Sequence, residues 1–115
     1  MLDVDGIQKL EQELNAEYGS ATAAVMDVTN EQQVSDVFAQ LRLTYGGLDI
    51  LVSNAGIAPV GPIHDLSLDT WQRSLDINCT GHFLVSRETV KLLREQESGG
   101  SLVFVGTKNI PSPGA

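Results

Sequence analysis

Several polar residues stand where side-chain chemistry can be done. Asp27 follows the apolar run 21–26 and precedes Val28-Thr29. A carboxylate at a strand end can accept a hydrogen bond from a ligand; it can equally help start a helix, where Asp is favoured. Asn54-Ala55-Gly56 ends a second apolar run, Asp49-Ile50-Leu51-Val52-Ser53. Small residues there let a ligand come against the backbone, and open α/β sheets bind ligands at the carboxyl ends of strands. An ordinary strand-ending turn is the structural alternative. Asn78 is a carboxamide inside a largely apolar helical stretch, and a buried amide needs hydrogen-bond partners. Thr107 supplies a hydroxyl just past a third apolar run, 101–105; a threonine at a strand end is also a common structural residue. Cys79 reads as a small core residue, because free cysteine is usually buried and nothing electropositive surrounds it. His64 and His82 lack any nearby ligand spacing, so no metal site is expected.

The elements that must position these residues alternate. Val4, Ile7, Leu10 and Leu14 fall at helical spacing, and Gly19 stops that helix. Residues 21–26 predict a short buried strand. Thr29 with Gln32 three residues on has a capping-box pattern, followed by the stripe Val34, Val37, Phe38 and Leu41 and the stop Gly46-Gly47. The continuous run 49–53 predicts a strand covered on both faces, as in parallel sheets. Ser67 can cap a long helical stretch carrying Trp71, Leu75, Phe83, Val90 and Leu93, with 78–81 as its weak point and Gly99-Gly100 as its end. The third strand is 101–105, and a Pro- and Gly-rich loop runs from 106 to 115. Strands alternating with helices imply a parallel sheet, and right-handed crossovers put the helices after the first two strands on one face.

The chain has 115 residues, 15 acidic and 7 basic, for a formal charge of −8. That length allows one domain, and a hydrophobic share of 42% is that of a folded chain. The acidic balance argues against nucleic-acid binding. No apolar run approaches the roughly 18 residues of a membrane span. One cysteine permits no internal disulfide, and the start Met1-Leu2-Asp3-Val4-Asp5 has no signal-peptide character, so a cytoplasmic protein is expected.

Asp27-Val28-Thr29, Val52-Ser53-Asn54-Ala55-Gly56, Asn78-Cys79-Thr80-Gly81 and the 102–107 strand with Thr107 occur in the order and spacing of one family. Across nearly its whole length the chain resembles the short-chain dehydrogenases/reductases. The resemblance implies an α/β, Rossmann-like parallel sheet of three strands with flanking helices, incomplete relative to the family, in a single partial NAD(P)-binding domain spanning 1–115. It implies NAD or NADP as cofactor and a small alcohol or carbonyl compound as substrate. Asp27 would accept from the adenine amino group, with the Val28 amide on the same ring edge. Asn54, Ala55 and Gly56 would lie along the cofactor, with Asn54 tying neighbouring strands. Asn78 would open a helical turn and hold a water in the proton relay. Thr107 would stand at the catalytic serine position and polarise the substrate oxygen. Two departures stand out: Ser53 where the family usually has Asn, and Thr107 for Ser, which keeps the hydroxyl but stiffens χ1. Val52 to Gly56, Gly106-Thr107-Lys108-Asn109 and Ser112-Pro113-Gly114 are also similar to the dehydrogenase half of bifunctional rhamnulose-phosphate aldolase/dehydrogenases, implying a sugar-derived aldehyde or alcohol.

Two family parts are not encoded in these residues. One is the glycine-rich turn that presents amides to the pyrophosphate. The other is Tyr-x-x-x-Lys; Tyr18 and Tyr45 are followed four residues on by Thr22 and Asp49. The chain thus resembles the centre of such an enzyme and is expected to be inactive alone. With the family's first two strands missing, its sheet would carry a gap of roughly 14 Å. Unpaired edges are sticky, so the first strand is expected to shift beside the second, or two copies to complete each other as a homo-oligomer. A non-catalytic binding or interaction module derived from this fold is the alternative; a flavodoxin-like receiver ranks last, lacking an acidic cluster or phosphate loop at the first strand end.

Overall fold

A computed structural model of the chain describes residues 3–107. The first helix, α1 (Val4–Tyr18), begins at Asp3, whose Oδ1 accepts from the Gly6 amide at 2.9 Å. It ends at Gly19 with φ 79°, a left-handed conformation that glycine adopts without Cβ strain. None of its residues is buried. Helix α2 (Glu31–Tyr45) ends in the same way at Gly46, φ 83°. Its cap is Asn30, whose side chain accepts from the Gln33 amide at 3.0 Å. The expected Thr29–Gln32 box does not form, because the Thr29 hydroxyl and amide are both taken by Asp27.

Strand β1 (Ile50–Ser53) pairs in parallel with β2 (Ser101–Phe104), Ile50 opposite Ser101 and Ser53 opposite Phe104. Between them the chain forms one long helical run. Helix α3 (Leu68–Leu75) starts at Ser67, whose Oγ accepts from the Thr70 amide at 3.1 Å. A π segment (Asp76–Thr80) follows, closed by the Gly81 amide bonding to the Asp76 carbonyl, and helix α4 (Gly81–Gln96) continues it. The weak point expected around Asn78 is thus a widened turn rather than a break. The run ends at Glu97 in a left-handed conformation (φ 58°), ahead of the expected glycines.

Among the described residues the sheet has two strands, not three. Residues 21–26 form no strand, since a ladder requires a neighbour at about 4.8 Å and they do not move beside β1. Side chains of the helices bond that stretch instead. The Ala21 amide donates to Asn15 Oδ1 at 2.6 Å while Asn15 Nδ2 donates to the Ala21 carbonyl at 2.9 Å. The Ala23 amide donates to the Glu11 carboxylate, and the Thr22 hydroxyl meets the Tyr45 hydroxyl at 2.5 Å. Nor is β1 covered on both faces within this chain: Ile50 and Val52 are 61% and 62% exposed. Its other face carries half-buried Leu51 and buried Ser53 toward the helices. Helices α2 and α4 pack together on that side, burying Val34 and Phe38 against Leu84, Val85 and Leu92.

Two carboxamides fix this helical run to the chain on either side of β1. Gln96, at its end, accepts from the Leu48 amide at 2.6 Å and donates to the Leu48 carbonyl at 2.8 Å. Asn78, in the π segment, does the same to Ile57: it accepts from the amide at 2.9 Å and donates to the carbonyl at 2.8 Å. The strand and its following turn are therefore held at both ends. The part of the expected terminal loop in 108–115 lies outside the described residues.

Candidate functional site

Both strands end at the same edge, because they run parallel. The Val105 amide extends the ladder by donating to the Ser53 carbonyl at 3.0 Å. At this edge a cleft of about 360 Å³ opens between three pieces of backbone. Met26, Asp27 and Val28 form one wall, Ala55, Gly56 and Ile57 a second, and Arg73 and Ile77 close it from the helical run. Its volume lies within the range of small-molecule sites, about 300–1,000 Å³.

The Asp27 wall is a tight turn. Asp27 Oδ1 accepts from the Thr29 amide at 2.9 Å and the Thr29 hydroxyl at 2.7 Å, while the Asn30 amide donates to the Asp27 carbonyl at 3.0 Å. The Asp27 amide is held by Gln33 Oε1 at 2.8 Å. The Thr29 hydroxyl, then its amide, keep the Asp27 carboxyl below its ordinary pKa; partial burial opposes them and Arg73 assists. A charged carboxylate therefore stands at the cleft at neutral pH. Asp27 organises this turn, and Asn30 caps the helix.

The second wall depends on Asn78. Its amide bonds Ile57 at both backbone atoms and Ser74 Oγ at 3.1 Å, all from one turn of the π segment. Such segments occur frequently at functional sites. Gly56 runs so close to it that an added Cβ would stand 2.9 Å from Asn78 Oδ1. Gly81 plays the matching part on the first wall, where a Cβ would come within 2.7 Å of Val28 Cγ2.

Asp27, Val28, Ala55 and Gly56 thus share one cleft, with Asn78 directly behind Gly56. Asn54 and Thr107 are exposed at the same strand edge and do not line it. Cys79 is exposed rather than a core residue: with Asn78 turned to the 57 loop, the next position on the helical run faces outward. Buried Ser53, where the family pattern has Asn, places its Oγ 2.5 Å from His82 Nδ1, and the imidazole meets Phe104 edge-on at 5.6 Å. Sequence reading missed this pair, as it missed Arg73 and Ile77 at the cleft. Arg73 and Ile77 lie four residues apart on the helical run carrying Asn78, and that spacing was the available signal. Among the described residues no group of three or more His, Cys, Asp or Glu could hold a metal, and no helix is long and apolar enough to cross a membrane.

A parallel sheet with crossover helices on one face and a cleft at the strands' carboxyl ends defines an open α/β unit of Rossmann type. The chain belongs to the short-chain dehydrogenase family, whose model matches residues 2–114. It is 46% identical over 110 residues to the uncharacterized oxidoreductase YuxG of Bacillus subtilis (strain 168), covering 94% of this chain and 16% of that protein. It is 35% identical over 107 residues to sorbitol-6-phosphate 2-dehydrogenase of Escherichia coli (strain K12), covering 91% of this chain and 41% of the relative. Among solved structures, a 3-ketoacyl-ACP reductase from Sinorhizobium meliloti 1021 superposes with a TM-score of 0.86 at 34% identity, over 93% of this chain and 42% of that one. A putative short-chain dehydrogenase/reductase from Burkholderia xenovorans superposes with a TM-score of 0.88 at 29% identity, over 98% and 45%. The chain therefore spans less than half the length of each.

Proposed function

We propose that this chain is the central part of an NAD(P)-dependent oxidoreductase and holds the adenosine half of the dinucleotide in the cleft between Asp27-Val28 and Ala55-Gly56. The observation that carries this reading is the convergence of a charged carboxylate, exposed small residues and apolar walls in one cleft at the strand ends. The residues suit that group. Asp27 Oδ1 is occupied by Thr29, and a carboxylate has further acceptor sites for the adenine amino group. The Val28 amide can donate to the same ring edge. Ala55 and Gly56 expose backbone against which a ribose can lie, and the Asn78 link to Ile57 holds that backbone in place.

With NAD(P) bound in this cleft, the chemistry supplied would be hydride transfer between an alcohol and a carbonyl. Thr107, at the same strand edge, donates its hydroxyl hydrogen to the substrate oxygen, polarising the carbonyl. Asn78, in the widened turn, orients a water for the proton path. The identity to sorbitol-6-phosphate 2-dehydrogenase supports a sugar-derived alcohol as substrate. A Tyr-x-x-x-Lys is not among these 115 residues, so the chain alone binds the cofactor without turning it over. Its open apolar surface, with Ile50, Val52, Trp71 and Phe83 all more than half exposed, supports self-association into a homo-oligomer.

Saturation-transfer NMR with NAD⁺ and NADP⁺ tests this. Saturation reaching the adenine protons more strongly than the nicotinamide protons, with no hydride transfer to simple aldehydes on adding NADH, is the expected result. Absence of transfer to the adenine protons, or clear turnover by this chain, overturns the reading.

A further inference from the structure

Arg73 is the one cation among the residues lining the cleft. It also lines a neighbouring cleft of about 350 Å³ with Asp27, Thr29, Asp69, Gln72, Asp76 and Ile77, so Arg73, Asp27 and Ile77 together divide the two. Asp69 and Asp76 lie four residues before it and three after, the spacings at which helical ion pairs form. Yet no carboxylate among the described residues comes within 4.0 Å of Arg73, whereas Arg42 pairs with Glu95 at 3.0 Å and Arg87 pairs with Glu31 and Glu88. Arg73 is exposed and makes no contact ion pair among the described residues, its charge acting on Asp27 only at a distance, at the rim of a slot walled by Met26, Val28, Ile57 and Ile77.

We propose that Arg73 is a ligand-binding residue of this cleft, its guanidinium stacking on the face of the adenine base whose edge is read by Asp27 and Val28. The guanidinium is planar, weakly hydrated and able to lie flat on an aromatic ring. The apolar side chains offer the base one face, and Arg73 covers the other. Its charge also offsets the Asp27 carboxylate in a chain of net charge −8, which otherwise repels a phosphate-bearing ligand. Arg73 is solvent-exposed, so replacing it leaves the fold intact.

This inference rests on the adenosine reading of the cleft, and the experiment separates the two. Adenosine, which has no phosphate, and 5′-AMP are titrated into the labelled chain, following the backbone amides of Asp27, Val28, Ala55 and Gly56. With Arg73→Ala and with Arg73→Lys, adenosine affinity is expected to fall about two- to five-fold, the range for stacking at an exposed site. Lysine fails to rescue because it keeps the charge but lacks the plane. Unchanged adenosine affinity in Arg73→Ala, full affinity in Arg73→Lys, or a loss confined to 5′-AMP overturns the assignment of Arg73 while leaving the cleft reading standing. No response of those four amides to adenosine in the unmutated chain overturns both.

Discussion

Gly56 and Asn78 should be energetically coupled, and the size of the coupling follows from their geometry. An alanine Cβ at position 56 would stand 2.9 Å from Asn78 Oδ1. That oxygen is not free to retreat, because it accepts the Ile57 amide at 2.9 Å while Nδ2 donates to the Ile57 carbonyl at 2.8 Å. Gly56→Ala must therefore push the amide off Ile57, and a hydrogen bond lost this way costs about 0.5–1.5 kcal/mol. Gly56 is not among the left-handed glycines, so the alanine is compatible with its backbone and stabilises by about 0.4–1 kcal/mol through the unfolded chain. That second effect is the same in any background and cancels in a double-mutant cycle. The steric effect does not cancel: with Asn78→Ala the oxygen is gone. Gly56→Ala is therefore expected to be about 0.5–1.5 kcal/mol more costly with Asn78 in place than in the Asn78→Ala background, the scale of contacting pairs. Urea unfolding followed by fluorescence of Trp71, the single tryptophan, reads all four variants. Equal costs of Gly56→Ala in both backgrounds would refute the claim that Asn78 fixes this turn.

The other carboxamide link gives a parallel expectation. Gln96→Ala removes two bonds to the partly buried Leu48 backbone and should cost about 1–3 kcal/mol in the same assay; a loss below a few tenths would show that water replaces it freely. Asp27 gives a pH dependence. Its folded pKa is depressed, so its stabilising contribution is present above the unfolded value of about 3.9 and disappears as pH falls through the folded one. Stability should therefore drop below about pH 4 in the native chain and less steeply in Asp27→Asn; identical acid limbs would contradict the Thr29 hydrogen bonds as the cause. Gly46→Ala forces a Cβ into φ 83° and should destabilise α2 by about 1 kcal/mol, read as a lower thermal midpoint by circular dichroism.

What the sequence disclosed was mostly local. The helix stops at Gly19 and Gly46 and the start at Ser67 follow from backbone chemistry within one turn, and each stands where expected. A carboxamide within a largely apolar helical stretch also marked Asn78, now the centre of the π segment. The misses share a cause, which is dependence on residues distant in the chain. An apolar run such as 21–26 states a preference for a sheet, but a strand exists only where a neighbour supplies a ladder. The exposed Ile50 and Val52 show the same: their pattern asks for cover that this chain does not bring to them. The cap moved from Thr29 to Asn30 because Asp27 competes for the Thr29 hydroxyl. The Ser53–His82 pair, 29 residues apart, carries no periodic signature at all, and Arg73 is marked only by its four-residue spacing from Ile77.

The central claim is that the strand-end cleft receives the adenosine half of NAD(P). A map of backbone and side-chain amide shifts on adding NAD⁺ to the labelled chain tests it most directly. Shifts are expected to concentrate at Asp27, Val28, Ala55, Gly56 and Ile57 and in the Asn78 side-chain amide, with the α2–α4 core around Phe38 and Leu92 unmoved. Shifts centred elsewhere, or none at these residues at saturating NAD⁺, would contradict it.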